Sequence, residues 1–522
     1  TIKENFDTIA DHCAQYDVVA FSCYIWNITQ TLAVCERIKA LNPNTKILLG
    51  GPEVSYEYEP IIVRPDVDYI IAGEGEEAFA AFLDQFPAVS GIPGLIYIEN
   101  EQLHGKAVNQ TVDLRLLESI NPYADDPPQE LAHKVLYVET SRGCPYKCEF
   151  CLASLDNKVR HLSNERIEAN LLFLMQYGRT VKFLDRTFNI KRDFSLRVFN
   201  FIKAHHRPGQ VFQFEITADI LHPDLIQWVQ TELPPGLFRF EIGIQTVNRE
   251  ANLSVSRKQQ FEKTTAVIQA VRDYVELHLD LIVGLPLDTR PDVIHSINAV
   301  LALQPPELQL GFLKFLKGTP LRDKFNQHGY VFDNQAPYTI IESNYLSKQE
   351  LHDFTLAEAA LEIYWNAGRM KNTLKYLSKS IDYYTHLELL GKALFERNQL
   401  HGTPLRHLYD TARDTLRQAH PGDVVLEAIM AYDYFMQFNI RPQGFILDEV
   451  PKKEKFLHLQ QAQLNTHKYR YWVFDIPLNI NCFIELSEVE LKETRVAFQY
   501  DGQSTPQCIV LPPFLVEVNL GI

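Results

Sequence analysis

No uninterrupted apolar run reaches the roughly 18 residues that a membrane-crossing helix needs, so no transmembrane span is expected in these 522 residues. No apolar signal core follows Thr1 either. Cysteine is scarce. Eight in 522 residues are too few for a disulfide scaffold, and a reducing cytoplasmic setting is expected. Positive charge is in deficit: 50 Lys+Arg face 66 Asp+Glu, a net charge of −16, which argues against a general electrostatic grip on nucleic acid or an anionic membrane. Runs such as Lys452-Lys453-Glu454-Lys455 are short and mixed in sign and read as solvated surface. Internal repeats and low-complexity tracts are absent. What remains is the composition of soluble globular protein, 46% hydrophobic and 22% charged. At about 150 residues per domain the length suggests about three domains. The chain starts without Met, at Thr1 inside an amphipathic segment, so residues upstream are expected to be missing.

Five cysteines, Cys13, Cys23, Cys35, Cys482 and Cys508, are scattered and read as buried or free thiols. The other three cluster in Thr140-Ser141-Arg142-Gly143-Cys144-Pro145-Tyr146-Lys147-Cys148-Glu149-Phe150-Cys151, a C-x3-C-x2-C pattern directly after the apolar run Val135–Val138. Three thiolates on one short loop can converge on a metal centre. Zinc would want a fourth ligand, and none lies at ribbon spacing, although His161 follows ten residues on. An iron–sulfur cube can use three cysteines and keep its fourth iron open. Zinc and unligated thiols stay as the alternatives.

After this loop, short apolar runs recur at helix-length intervals, the pattern of a β/α alternation. Strands are expected near Val135–Glu139, Val181–Asp185, Val211–Ile216, Leu237–Ile244, Leu279–Val283 and Leu308–Phe315. Helices are expected at Asn164–Tyr177, Phe194–His205 and Gln260–Leu277, where apolar residues return every three or four positions. Six parallel strands with the cysteine loop after the first fit a partial (β/α)6 barrel, whose chemistry sits at the carboxyl ends of the strands. Polar residues near those ends are Asp185, Glu215, Glu241, Gln245 and Asp280, and Arg257 follows on the next helix or loop. Asp185 and Glu241 are the weaker site candidates, facing substrate or solvating a loop.

Residues 1–103 carry a second α/β pattern. Strands are expected over Tyr16–Tyr24, Thr45–Leu49 and Tyr69–Ile71, with an amphipathic helix at Thr29–Leu41. Gly-containing loops follow the strands, Gly50-Gly51-Pro52-Glu53 and Gly73-Glu74-Gly75-Glu76 among them, and such loops let a ligand approach the backbone at the sheet's carboxyl edge. A nicotinamide site would want G-x-G-x-x-G after the first strand, and that is absent. Residues 104–134, with Asn121-Pro122-Tyr123 and Pro127-Pro128, read as a linker. The barrel is assigned to 135–335 and a mostly helical, α+β capping domain to 336–522. In the latter, Ser347 to about Gln437 is helical, with stripes at Leu351–Ala367 and Val424–Phe438, and Arg470–Phe474 and Cys482–Leu486 read as strands joined by a Pro-containing turn.

The cysteine loop, with Phe150 before its last cysteine, resembles the signature of the radical S-adenosylmethionine (radical SAM) superfamily. The resemblance implies a [4Fe–4S] cluster on Cys144, Cys148 and Cys151, with S-adenosylmethionine (SAM) chelating the open iron and Phe150 packing near the adenine. Glu215, Gln245, Arg257 and Asp280 resemble the SAM pocket of the branch that holds the anaerobic coproporphyrinogen oxidases. That likeness puts Gln245 and Asp280 on the ribose and Glu215 and Arg257 at the methionyl end. The amino-terminal stretches Phe21-Ser22-Cys23-Tyr24-Ile25-Trp26-Asn27, Gly50-Gly51-Pro52-Glu53 and Gly73-Glu74-Gly75-Glu76 resemble the cobalamin-binding domain of cobalamin-dependent radical SAM proteins. By that resemblance Ser22, Tyr24, Trp26, Gly50, Gly51, Pro52, Glu53, Gly73, Glu74 and Gly75 surround the corrin. The D-x-H-x-x-G cobalt-ligand motif is missing, which leaves Trp26 or Tyr24 to cover the lower face. The carboxy-terminal region resembles a domain of unknown function found on some members of the family.

The function implied is methyl transfer to an unactivated carbon, through a 5′-deoxyadenosyl radical and methylcobalamin, on a small-molecule or peptide substrate. An electron donor such as flavodoxin or ferredoxin is implied, and no membrane or nucleic-acid partner is expected. The alternatives are cyclisation or rearrangement with the same cofactors, a cobalamin- or SAM-sensing protein with a structural cluster, and RNA modification, for which no RNA-binding addition is visible.

Overall fold

The computed structural model describes residues 4–107 and 111–513; Thr1, and with it the expectation of a truncated start, lies outside them. Two compact units emerge, one of Thr1–Val293 with Gln309–Lys348 and one of Ile294–Leu308 with Gln349–Ile522.

The first unit holds two sheets. The amino-terminal one has the order β1 (Val18–Ser22), β2 (Lys46–Gly50), β3 (Tyr69–Ile71), β4 (Leu95–Glu99), β5 (Gln102–His104). The first three strands are parallel and β4 and β5 turn antiparallel. Helix Ile28–Leu41 buries Ile28, Val34, Cys35 and Ile38 in one core with Ile47, Leu49 and Ile70. The sequence reading stops at three strands. β4 and β5 are a short hairpin whose Ile98 and Leu103 stay exposed, so their apolar pattern is weak.

The second sheet begins with β6 (Val135–Val138). A two-residue ribbon follows, β7 (Ser141–Arg142) paired antiparallel to β8 (Arg160–His161), with the cysteine loop inside it. Then come β9 (Thr180–Phe183), β10 (Val211–Glu215), β11 (Phe238–Gln245), β12 (Glu276–Val283) and β13 (Glu307–Phe312). The sheet runs β6-β9-β10-β11-β12-β13 in chain order, parallel across β6 to β12, with helices Asn164–Tyr177, Arg192–His205, Pro223–Glu232 and Phe261–Val271 in the crossovers. This is the expected partial barrel. One expected helix is too long: Gln260–Leu277 ends at Val271, and β12 starts at Glu276 because Leu277, Leu279 and Leu281 alternate with polar positions on a strand. A short ribbon of β14 (Val331–Phe332) and β15 (Ile340–Glu342) closes the unit.

Alternation fixes which side of each barrel strand is apolar. Phe183, Phe212, Phe214, Phe238 and Phe240 are buried and join Phe188 and Phe199 in one aromatic layer, with Phe183 and Phe214 stacked at 4.4 Å and Phe199 and Phe238 tilted against each other at 4.8 Å. Intervening residues such as Lys182, Gln213, Glu215, Arg239 and Glu241 are only half-buried.

The loop after β12 ends on Asp288, a buried carboxyl. Burial pushes its pKa up to about 7, against the pull of hydrogen bonds from Thr246 and Asn248.

In the second unit, helices Lys348–Ala360, Lys371–Leu377, Tyr383–Glu396, Leu405–Ala419 and Val424–Phe435 precede an antiparallel sheet of β16 (Arg470–Leu478), β17 (Leu491–Tyr500) and β18 (Gln507–Val510). Phe474 and Phe498 pack on Phe435, with ring centroids 4.8 and 5.2 Å away. Cys482–Leu486, expected as a strand, is helical instead, part of Ile480–Leu486. Asn479 starts that helix by accepting from the Cys482 N–H at 3.4 Å, and Pro477 lies within β16 rather than in a turn. Short apolar runs do not distinguish strand from helix; the cap does.

Two outcomes follow. Phe214→Ala should cost about 3–5 kcal/mol, read from the denaturant midpoint of the barrel transition; a loss under about 1 kcal/mol would mean that the ring is not core. Asp288 has a folded pKa of about 7 and an unfolded one near 3.9. Its folded value is raised, so its stabilising contribution is present below about pH 4 and is lost as pH rises through about 7. Asp288→Asn should flatten the fall of the thermal midpoint across that window, and an unchanged slope would refute the assignment.

Candidate functional site

The cysteine loop is held from several directions. Gly143 has φ +90°, and a Cβ there would sit 2.6 Å from the Lys158 carbonyl oxygen, so the turn into Cys144 requires glycine. The Cys144 N–H donates to the Asp156 carbonyl at 2.8 Å and the Cys151 N–H to the Cys148 carbonyl at 3.0 Å. Ser154 Oγ donates to the Cys148 and Cys151 carbonyls at 2.9 and 2.7 Å.

All three cysteines line one cavity of about 240 Å³, together with Phe150, Glu215, Gln245, Arg257, Asp280, Tyr146, Arg186, Thr187 and Glu241. The structure therefore brings together every residue expected at the cluster and the SAM pocket. Among the described residues no group of three His, Cys, Asp or Glu side chains is placed to hold a single metal ion. Instead, the thiols border a volume, the arrangement that suits a cube with ligands at separate corners. Burial pushes the Cys151 thiol up, while the Ala153 N–H and the Arg186 charge pull it down.

The donor types beside the thiols suit SAM. Register between β11 and β12 shifts at Gly243/Gln245, and Gln245 takes φ +70°. This bulge turns the Gln245 side chain over Gly243, where a Cβ would collide with its amide nitrogen. Gln245 Oε1 is buried and finds no hydrogen-bond partner among the described residues, a place for a ribose hydroxyl. Arg257 Nη2 donates to the Gly243 carbonyl at 2.5 Å, and Nη1 lies 3.6 Å from Cys148 Sγ, which sets a cation at the cluster's edge where a carboxylate would chelate. Glu215 and Glu241 are neighbours in register. Lys182 pairs with Glu241 at 2.8 Å and Arg186 with Glu215 at 3.4 Å. Burial pushes the Glu215 pKa up and Arg186 draws it back. His278 Nε2 lies 2.9 Å from Asp280 Oδ1.

Asp185 is corrected. It neither faces substrate nor solvates a loop: it is buried, and accepts from the Thr140 N–H at 3.1 Å and from the Thr140 and Ser141 hydroxyls at 2.5 Å each. It anchors the strand that leads into the cysteine loop.

A second cavity, of about 670 Å³, lies at the carboxyl ends of β1, β2 and β3, lined by Ser22, Tyr24, Gly50, Gly51, Gly73, Glu74, Gly75, Glu76 and, from the barrel, Arg142. Gly51 at φ +98° passes so close to Cys23 that a Cβ would stand 2.6 Å from its carbonyl oxygen. Ser55 Oγ donates to the Gly51 carbonyl at 2.9 Å and accepts from the Gly73 N–H at 3.0 Å, tying two Gly-rich loops into one rim. The rim is a shallow cradle bordered by backbone, as a large flat ligand requires.

Three residues expected there are not among its lining residues. Trp26 is 61% exposed and stacks on Tyr24, itself 37% exposed, with centroids 4.5 Å apart, so neither is core. Pro52 opens the short helix Pro52–Ser55. Glu53 is 2% exposed; it accepts from the Tyr338 hydroxyl at 2.8 Å, and its carbonyl accepts from Lys317 at 3.1 Å. Glu53 thus joins the two sheets' domains rather than lining the cavity. Lys317, Tyr338, Arg186 and the tie from Arg142 to Glu76 were beyond sequence reading, because nothing local marks a long-range pair.

Residues 3–83 match the B12 binding domain family, 138–300 the radical SAM superfamily and 326–476 a family of proteins of unknown function (DUF4080). The cobalamin-dependent radical SAM methyltransferase TokK of Streptomyces tokunonensis is 25% identical over 360 residues, covering 62% of this chain and 50% of TokK. The 2-(S-pantetheinyl)-carbapenam-3-carboxylate methyltransferase of Streptantibioticus cattleyicolor is 24% identical, over 55% of this chain and 45% of the relative. The chain thus spans about half the length of these curated relatives. Among solved structures, the cobalamin-dependent SAM radical enzyme OxsB with aqua-cobalamin and SAM bound aligns at TM-score 0.54 and 15% identity, over 89% of this chain and 75% of OxsB. The methyltransferase TsrM of Kitasatospora setae aligns at 0.53 and 13%, over 65% and 72%. These two likenesses are of fold.

A Gly-rimmed α/β sheet followed by a partial barrel with a three-cysteine loop matches these assignments: the chain carries a B12-binding domain over residues 3–83 and a radical SAM domain over residues 138–300, and a [4Fe–4S] cluster, SAM and cobalamin are the cofactors that fit them. No helix among the described residues is long and apolar enough to cross a membrane.

Cys148→Ala should leave the anaerobically reconstituted protein with almost no iron or sulfide per chain. Undiminished iron would detach the cluster from this loop.

Proposed function

We propose that this chain is a cobalamin-dependent radical SAM enzyme, a methyltransferase that acts on an unactivated carbon of a small-molecule or peptide substrate. The observation that carries the reading is the convergence of Cys144, Cys148 and Cys151 with Glu215, Gln245, Arg257 and Asp280 on one cavity. The methyltransferase names of TokK and of the carbapenam relative, together with that of the hopanoid C-2 methylase of Rhodopseudomonas palustris, 25% identical over 61% of this chain and 59% of the methylase, favour methyl transfer over rearrangement.

When bound, the cluster and SAM supply a carbon-centred radical and cobalamin supplies a methyl carrier. The chain's own residues bind and orient. Cys144, Cys148 and Cys151 hold the cluster. Arg257 takes the SAM carboxylate by a charge-assisted hydrogen bond. Glu215 takes the ammonium, which offsets the cost of its buried charge. Gln245 and Asp280 accept from the ribose hydroxyls. Phe150 shields the adenine side, and with Ile216 it forms the apolar part of the wall that restricts water, which would quench a radical. Ser22, Tyr24, Gly50, Gly51, Gly73, Glu74 and Gly75 border the corrin. A flavodoxin or ferredoxin supplies the electron.

The test is anaerobic turnover with a chemical reductant and methyl-deuterated SAM. Formation of 5′-deoxyadenosine and a product carrying the deuterated methyl group are expected, and both should vanish in Cys148→Ala. 5′-Deoxyadenosine without label in the product would replace methyl transfer by rearrangement. A reconstituted wild type that makes none would leave a binding protein with a structural cluster.

A further inference from the structure

We propose that Arg142 is a positioning residue that ties the amino-terminal cavity to the cluster loop, so that cobalamin binding and the seating of SAM on the cluster are energetically linked through it. The inference rests on the cofactor assignment above and extends it to how one site acts on the other.

Arg142 ends β7, two residues before Cys144. Its side chain is 19% exposed and lies against carboxylates from both domains: Nη2 is 2.7 Å from Glu76 Oε1, Nη1 is 3.6 Å from Glu74 Oε2, and Nε donates to Glu139 Oε1 at 2.8 Å. A parallel route runs through the other ribbon strand. Arg160, at 15% exposed, pairs with Glu74 at 2.5 Å and with Asp156 at 2.8 Å. The Asp156 carbonyl accepts the Cys144 N–H at 2.8 Å. Glu74 also accepts from the Val112 N–H at 2.5 Å, and the Val112 carbonyl accepts from Arg160 Nη1 at 2.7 Å. The Gly73-Glu74-Gly75-Glu76 loop is thus tied to the cluster loop at both strands of the ribbon that carries it.

The same loop and Arg142 line the amino-terminal cavity. A corrin seated there restricts Glu74, Glu76 and Arg142 directly, and through them the backbone that presents Cys144. Arg142 and Arg160 are largely withdrawn from water, so their pairs are screened less than fully exposed ones, and two guanidiniums serve four carboxylates, so a shift of either guanidinium leaves a carboxylate unpaired. By linkage, whatever factor cobalamin applies to SAM affinity, SAM applies to cobalamin affinity.

The test uses the full chain with its cluster reconstituted anaerobically. SAM affinity is read from the change that SAM causes in the electron paramagnetic resonance signal of the reduced cluster, with and without saturating hydroxocobalamin. Cobalamin affinity is read by absorbance titration, with and without SAM. In the wild type each ligand should tighten the other by about fivefold or more. In Arg142→Gln that factor should fall to about one, with iron content unchanged. Glu76→Gln, which leaves the barrel untouched, should lower the factor as well and serves if Arg142→Gln does not fold. A wild type that binds both cofactors without coupling, or variants that keep the wild-type factor, would overturn the inference. A wild type lacking corrin absorbance would instead sink the cofactor assignment, and the inference with it.

Discussion

The side-to-side alternation of the barrel strands governs what the cluster cavity can contain. The strands β9, β10 and β11 each give one face to the aromatic layer built from Phe183, Phe212, Phe214, Phe238 and Phe240. The other face is left to residues that need a partner or a ligand. Parallel register then sets Glu215 beside Glu241 and Gly243 beside Asp280. Two carboxylates side by side in a half-buried place repel, and the molecule answers with Lys182 on one and Arg186 on the other. The cavity is therefore polar by construction: the apolar layer is affordable only if the opposite face keeps its charges compensated or bound.

Two local departures from regular structure turn this surface into a site. At Gly143 the backbone takes a conformation open to glycine, and the cysteine loop folds tightly onto the segment that ends in Arg160. At Gly243 and Gln245 a bulge reorients one side chain and exposes one carbonyl, which Arg257 then grips. Since the other arm of Arg257 lies by Cys148, a single guanidinium spans the thiols and the bulge at Gly243. The φ of +70° at Gln245 is a cost that surrounding packing holds in place. It is the kind of strain found where a side chain must be aimed rather than merely packed.

Polar contacts join the amino-terminal and barrel domains. Glu53 with Tyr338 and Lys317 forms a buried one, and Arg322 with the partly exposed Glu57, at 2.6 Å, forms another. Buried polar groups of this kind cost heavily when one partner is lost and are directional when satisfied. They suit a junction in which two cofactor cavities must keep a fixed relation. Asp185 does similar work within the barrel, since its three donors from Thr140 and Ser141 set the approach to the cysteine loop.

The cysteine spacing, the six barrel strands and the first three amino-terminal strands were legible in the sequence because each is local: a short motif or a run whose period survives in any context. The set of Glu215, Gln245, Arg257 and Asp280 was legible for a related reason, since polar residues at strand ends of a parallel barrel have few places to go. The misreadings share a different cause. Cys482–Leu486 carries an apolar run that a single Asn479 cap turns into a helix, and Glu53 and Asp185 carry chemistry that fits a ligand as well as a structural partner. Which partner each takes depends on residues 45 to 285 positions away, such as Thr140 for Asp185 and Tyr338 for Glu53. The amino-acid order by itself determined the elements and the ligand types. Only tertiary structure decided which polar groups meet, because a hydrogen bond or ion pair between distant segments leaves no periodic trace in the chain.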